Sequence, residues 1–194
     1  MTVRRAALAV LLVLLAALAA VLGRLETQRP TASDLPPGGD FTLVSADGLV
    51  SLKKLRGNVV LLYFGYASCP DVCPTSLALT AQGLARLTPA ELARVRVLFV
   101  SVDPERDTPD KLKQYAAHFH ANVIGVTGEP AALAEVAARY GAVYRKQAVA
   151  SAQGYVVDHS SFTAVVAPDG RLVERLAHGA QPDEIAQAVR RWLR

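Results

Sequence analysis

Residues 58–67, Asn-Val-Val-Leu-Leu-Tyr-Phe-Gly-Tyr-Ala, form an unbroken apolar and aromatic run that constrains the fold more than any other stretch of this 194-residue chain. A half-buried strand alternates apolar with polar residues, and a surface helix repeats apolar residues three and four apart. A short continuous run fits a strand buried inside a sheet. The next residues, Ser-Cys-Pro-Asp-Val-Cys-Pro, carry the only two cysteines, Cys69 and Cys73, each followed by a proline. Both cysteines are therefore expected at the C-terminal end of a central strand, entering a helix over 74–87. That edge is where open α/β sheets place their sites.

The rest of the chain supplies the partners such a strand needs. Two short apolar runs around Asp47-Gly48 predict a hairpin. A second buried strand is expected at 94–103, then a helix capped by Thr108 with Pro109 at its first position. Residues 123–128 read as a short strand, 129–140 as a helix stopped by Gly141, and 142–147 as a strand. Further strands flank the Pro168-Asp169-Gly170 turn, and 182–194 read as a closing amphipathic helix. Strands alternate with helices early and a hairpin comes late. The pattern predicts a thioredoxin-like α/β fold with an N-terminal hairpin and an insertion between the first sheet strands.

Ahead of this domain, residues 6–23 contain only Ala, Leu, Val and Gly, between Arg4-Arg5 and Arg24. As a helix the run would span about 27 Å, enough for a single transmembrane segment. Ala17-Leu18-Ala19 offers a signal-peptidase site as the alternative, and either reading exports the rest of the chain. Residues 1–25 are thus expected to be a membrane anchor or signal segment. Residues 26–39, rich in Pro, Gly and small polar residues, read as a linker, and 40–194 as the folded domain on the periplasmic or outer face of the cell membrane. Of the formal charge of +4, residues 1–29 carry +3 (four Arg, one Glu), which leaves +1 for the remainder. No cluster of basic residues with interleaved aromatics occurs in the folded part, so nucleic acid is not an expected partner.

Domains of this size bury a core without disulfide staples, so the cysteines need not be structural. If residues 69–73 are helical, positions i and i+4 share one face and both thiols point the same way. The pair can then grip one metal ion, or close a disulfide with some distortion. A helix N-terminus favours the thiolate that either role needs. A third ligand is sought among the four histidines. His159 is the best placed, in a polar break between two strand-like runs, although an ordinary loop histidine would look the same. His118 and His120 lie about 200° apart around a predicted helix and cannot chelate together, and His178 has only a turn context. Two sulfurs and one imidazole suit copper, as Cu(I) or Cu(II), one per monomer, whereas structural zinc normally takes four protein ligands. The acidic stretch with Asp103, Glu105, Asp107 and Asp110 is expected to form turns and start a helix rather than hold a hard cation.

Four blocks, "GYASCPDVCP", "SVDPERDTP", "FHANVIGVTG" and "YVVDHSSFTAVVAPDG", together resemble the Sco/SenC family of membrane-anchored, thioredoxin-like proteins that assist assembly of cytochrome c oxidase. The resemblance runs from about residue 40 to the end of the chain. It implies that Cys69, Cys73 and His159 bind one copper ion, delivered to the dinuclear CuA centre of oxidase subunit II, with a separate copper donor and thiol reductant as further partners. It also implies an alternative activity, thiol-disulfide exchange through Cys69 and Cys73 that keeps the CuA cysteines reduced. Asp158 and Asp71 match the family pattern, Asp158 as a candidate for orienting His159 or neighbouring backbone. Ala67-Ser68 and Thr163-Ala164 depart from it without removing a ligand. A peroxiredoxin reading fails locally, since the threonine expected three residues before a reactive cysteine is replaced by Tyr66 or Pro70.

Overall fold

The computed structural model describes residues 11–20, 35–149 and 154–193. The chain divides into two units, Met1–Leu35 and Pro36–Arg194. In the first, residues 11–20 form helix α1 with every residue exposed. The remainder of the apolar run over 6–23 lies outside the described residues, and among the described residues no helix is long and apolar enough to cross a membrane.

The second unit is built around a five-stranded sheet in the order β5-β4-β3-β8-β9. Its centre is β3 (Val59–Gly65), the apolar run identified from the sequence, and all seven residues are buried. Strand β4 (Val95–Ser101) pairs with it in parallel on one side, followed by β5 (Val123–Val126), also parallel. On the other side β8 (Thr163–Val166) is antiparallel to β3, and β9 (Leu172–Leu176) completes the edge. Side chains alternate across β3. Tyr63 stacks on Phe99 of β4, with centroids 6.4 Å apart, on the face that receives helix α2 (Val72–Leu84). Phe64 points the opposite way, to Tyr140 of α5 (Pro130–Tyr140) at 6.3 Å. The sheet is thus covered on both faces, which is why β3 carries no polar alternation.

Most elements lie where the sequence places them. Strands β1 (Thr42–Ser45) and β2 (Gly48–Ser51) form the N-terminal hairpin, tied to the end of β5 by reciprocal backbone bonds of 2.8 and 2.9 Å between Val44 and Thr127. Thr108 caps α4 (Pro109–Ala117) through a 3.3 Å bond from Lys111 N. Gly141, at φ 64°, ends α5 in a left-handed conformation suited to glycine. The closing helix is α6 (Pro182–Trp192). A short helix α3 (Pro89–Ala93), with a Thr88/Glu91 capping box, lies in the crossover where no helix was expected. The expected insertion also falls elsewhere: α2 and α3 alone connect β3 to β4, and the added elements come after β4. They are α4 with β5, and a separate antiparallel hairpin of β6 (Tyr144–Ala148) and β7 (Tyr155–His159). The chain ahead of Asp40 is already engaged with this unit, since Gly38 N donates to Arg139 O at 2.9 Å and Tyr140 Oη to Gly39 O at 2.9 Å.

Candidate metal centre

Beyond Gly65 the chain leaves β3 over the end of β4 and turns into α2. Two backbone anchors hold this turn: Val102 N donates to Gly65 O at 2.9 Å, and Ala67 N donates to Asp107 Oδ2 at 2.7 Å. Cys69 lies in the turn, not in the helix as the shared-face expectation required. Asp71 is the N-cap, and Cys73 sits in the first turn of α2. Pro70 disfavours the α region at Cys69, and the helix begins only after the Asp71 cap. The two sulfurs nevertheless converge, because the turn folds Cys69 back against the helix start, with Cys69 N donating to Tyr66 O at 3.2 Å.

His159 comes from the other side of the molecule. It is the last residue of β7, rather than a loop residue as expected, and antiparallel pairing sets it opposite Tyr144. Its Nε2 lies 3.2 Å from Cys73 Sγ and 3.9 Å from Cys69 Sγ. The three ligand atoms fall within 4.8 Å of one another, and among the described residues no other His, Cys, Asp or Glu joins them. His159 Nδ1 is 3.0 Å from Ser160 O, a pure acceptor, so Nδ1 carries the proton and Nε2 faces the sulfurs. The rings of Tyr63 and Tyr66 stand edge-on to the imidazole, at 6.1 and 5.8 Å. Both cysteines are free and buried, Cys73 completely.

The thiols share one negative charge. Cys73 keeps its proton and donates to Cys69, which holds the Cys69 thiol down to about 3, with His159 and the backbone at the helix start assisting. The same hydrogen bond, together with burial, pushes the Cys73 thiol far up. Burial opposes protonation of His159, but its hydrogen bonds to the Cys69 sulfur and the Ser160 carbonyl outweigh it and raise its pKa. Burial pushes the Tyr63 hydroxyl well above the usual phenol range. Chemically the site offers two soft sulfurs and one imidazole nitrogen, already oriented. That donor set fits copper, and it lacks the fourth protein ligand of a structural zinc site.

The remaining sequence candidates lie elsewhere. Asp158 does not orient His159; its carboxylate accepts from Gln147 Nε2 at 2.9 Å on the opposite face of β7. Asp71 accepts from Thr75 Oγ1 at 3.4 Å, on the exposed helix start. His118 caps the C-terminus of α4, His120 Nδ1 accepts from Asn122 N, and His178 meets Ser76 Oγ at 3.4 Å. Two acids read as turn formers do more. Asp103 and Asp107 are completely buried, and Asp107 holds the cysteine turn while also accepting from Ser101 Oγ at 2.7 Å and Lys111 Nζ at 2.9 Å.

A profile described as SCO1/SenC matches residues 29–194. The chain belongs to the SCO1/SenC family. It is 36% identical over 155 residues to an SCO2-like protein of Rickettsia conorii, covering 79% of this chain and 75% of that one. Among solved structures, Bradyrhizobium japonicum ScoI with copper bound is 36% identical, with a TM-score of 0.73 over 80% of this chain and 99% of that one. BsSco, described by its disulfide switch and as one of the Sco family of cytochrome c oxidase assembly proteins, is 31% identical. Its TM-score is 0.64, over 82% of this chain and 94% of that one.

Proposed function

We propose that this SCO1/SenC protein is a copper-binding metallochaperone that assists assembly of the dinuclear CuA centre of cytochrome c oxidase, with Cys69, Cys73 and His159 holding one copper as cargo. The observation that carries this reading is the convergence of the three ligand atoms within 4.8 Å. The copper-bound ScoI relative supports the choice of metal. Oxidase subunit II is the proposed recipient, and a copper donor and a thiol reductant are the further partners. Residues 6–23 are proposed to anchor the chain, with the domain after the linker on the periplasmic or outer face. Carbonate-washed membranes should retain the full-length protein, and a soluble mature chain beginning at Ala20 would overturn the anchor.

A second reading, thiol-disulfide exchange that keeps the CuA cysteines reduced, is favoured by one specific feature: a thiolate at Cys69 beside a protonated Cys73 is the poise of an exchanging dithiol. His159→Ala separates the two. Two thiolates still hold Cu(I), whereas Cu(II) prefers additional nitrogen. As a metallochaperone the variant should lose intense Cu(II)-thiolate absorption and oxidase assembly while reducing a model disulfide within about 3-fold of the parent, because the largest hold on the Cys69 thiolate, the hydrogen bond from Cys73, remains. Normal oxidase assembly by His159→Ala would overturn copper delivery as the primary role.

A further inference from the structure

The β6–β7 hairpin carries His159 yet shares no strand pairing with the five-stranded sheet. Apart from its short connections to α5 and β8, side-chain contacts hold it against the body of the protein. Tyr155, Val157 and His159 alternate onto one face of β7, and Val157, at 3% exposure, marks that face as the one turned toward the body of the protein. At the far end of this face, the Arg106 guanidinium lies 3.7 Å from the centre of the Tyr155 ring and 5.5 Å from that of Tyr66. Arg106 Nη1 donates to Tyr155 O at 2.9 Å. Beneath it, completely buried Asp103 accepts from Arg106 Nε and, at 2.7 Å, from Tyr155 Oη. At the near end, Tyr66 meets the His159 ring edge-on at 5.8 Å. A continuous chain of contacts thus runs from a buried carboxylate through Arg106 and Tyr66 to the imidazole.

We propose that Arg106, held on Asp103 and packed against Tyr66 and Tyr155, is a positioning residue that latches the β6–β7 hairpin and so holds His159 over the cysteine pair. A planar guanidinium suits the task, since it stacks on aromatic rings while donating in its own plane. Lysine has the charge without the plane. The latch acts chiefly on the nitrogen ligand, because Cys73 is fixed by α2 and the turn carrying Cys69 is anchored by Asp107 through Ala67 N. Only the metal arm of the test rests on the copper reading.

The test uses the full-length protein in detergent with Tyr155→Leu and Arg106→Met made singly. In the metal-free protein, amide hydrogen exchange over Tyr144–Ala148 and Tyr155–His159 should accelerate by about 10-fold or more while β3 and β4 keep their protection, as expected for local opening. In the metal arm, Cu(II) affinity should fall by about 10–100-fold, the usual cost of losing an outer support of a ligand. Cu(I) affinity should stay within about 2-fold, since the thiolates suffice for it. Unchanged hairpin exchange in both variants overturns the latch, as does an unchanged ratio of Cu(II) to Cu(I) affinity in a parent that binds both. If the parent takes up no copper, the copper reading falls and hydrogen exchange alone decides the latch. If Arg106→Met loses protection everywhere, Tyr155→Phe decides, because it keeps the ring and removes only the hydroxyl, with its bonds to Asp103 at 2.7 Å and Glu105 at 3.4 Å. Faster exchange confined to the hairpin supports the proposal, and no change overturns it.

Discussion

Gly65 ends β3 directly beneath Cys73, and the site depends on its lack of a side chain. A Cβ at this position would lie 2.5 Å from Cys73 Sγ, 3.0 Å from Phe99 Cε2 and 3.2 Å from Tyr63 Cε1. Non-bonded heavy atoms rest about 3.5–4.0 Å apart, so Gly65→Ala forces the sulfur away by about 1 Å or more. Cys73 has a single side-chain torsion and no solvent to move into, being 0% exposed. Rotating it to another staggered well would carry Sγ about 3 Å, ending its approach to His159. Keeping the rotamer instead strains α2 against the sheet, at a cost of about 1–3 kcal/mol. Urea denaturation of the metal-free protein should register that loss. Competition against a Cu(I) chelator should show affinity reduced by about 10-fold or more, as two-coordinate binding needs both thiolates in place. Gly83→Ala is the control: its Cβ would meet Ile185 Cγ2 at 2.8 Å, between α2 and α6, so it overpacks the protein away from the sulfurs. Equal Cu(I) affinity in Gly65→Ala and Gly83→Ala would refute the argument.

The buried acids and the shared thiol proton each give a further prediction. Asp107→Ala strands Ala67 N–H and the Ser101 hydroxyl and should cost about 2–4 kcal/mol in urea denaturation, with Asp107→Asn retaining roughly half of the loss; a loss under about 0.5 kcal/mol would show that the turn is held otherwise. Cys69 has its pKa lowered on folding from 9.0 to about 3, so its contribution to stability is complete above the unfolded value and is lost as pH falls toward the folded one. Below about pH 6.5, where His159 is protonated folded or unfolded, the unfolded pair binds one proton more than the native pair. The stability difference between the parent and Cys69→Ser should therefore rise by about 1.4 kcal/mol per pH unit between about pH 5 and 6.5. It should flatten above that, where native His159 keeps a proton that the unfolded chain has lost. A difference independent of pH would refute the shared proton.

Much of the fold is legible because its signals are local. The uniform burial of β3, the Thr108-Pro109 start, the Gly141 stop and the first hairpin are each written in a few adjacent residues. The capping box at Thr88 and Glu91 is equally local and marks the short helix not expected in the crossover. Other features had no local signal. Nothing near Asp107 announces that its partner is the amide of Ala67, 40 residues earlier, and an acid in a turn-forming stretch looks solvated until the fold closes over it. The family pattern makes Asp158 a candidate for orienting His159 or neighbouring backbone. Strand alternation sends neighbours to opposite faces, so the orienting group is instead the next backbone carbonyl, at Ser160. Cys69 stays out of the helix because α2 starts after Asp71, and Pro70 was one local mark of that boundary.

The arrangement also explains how one site can serve both readings. A dithiol alone gives a thiolate and a protonated neighbour, which is what exchange requires. In the native protein the imidazole sits 3.2 Å from the Cys73 sulfur and has its own pKa raised, while Cys73 keeps its proton and Cys69 carries the negative charge. Binding a copper ion through all three residues must displace the Cys73 proton and, at any pH where the imidazole is protonated, the His159 proton as well, since a ligand sulfur is a thiolate and a ligand imidazole presents a lone pair. Exchange displaces only the proton of Cys73. Acid therefore opposes three-coordinate copper more steeply than it opposes disulfide formation. The two activities are separated by the protonation of a residue that arrives on a hairpin outside the five-stranded sheet and meets the sulfurs across Tyr63 and Tyr66.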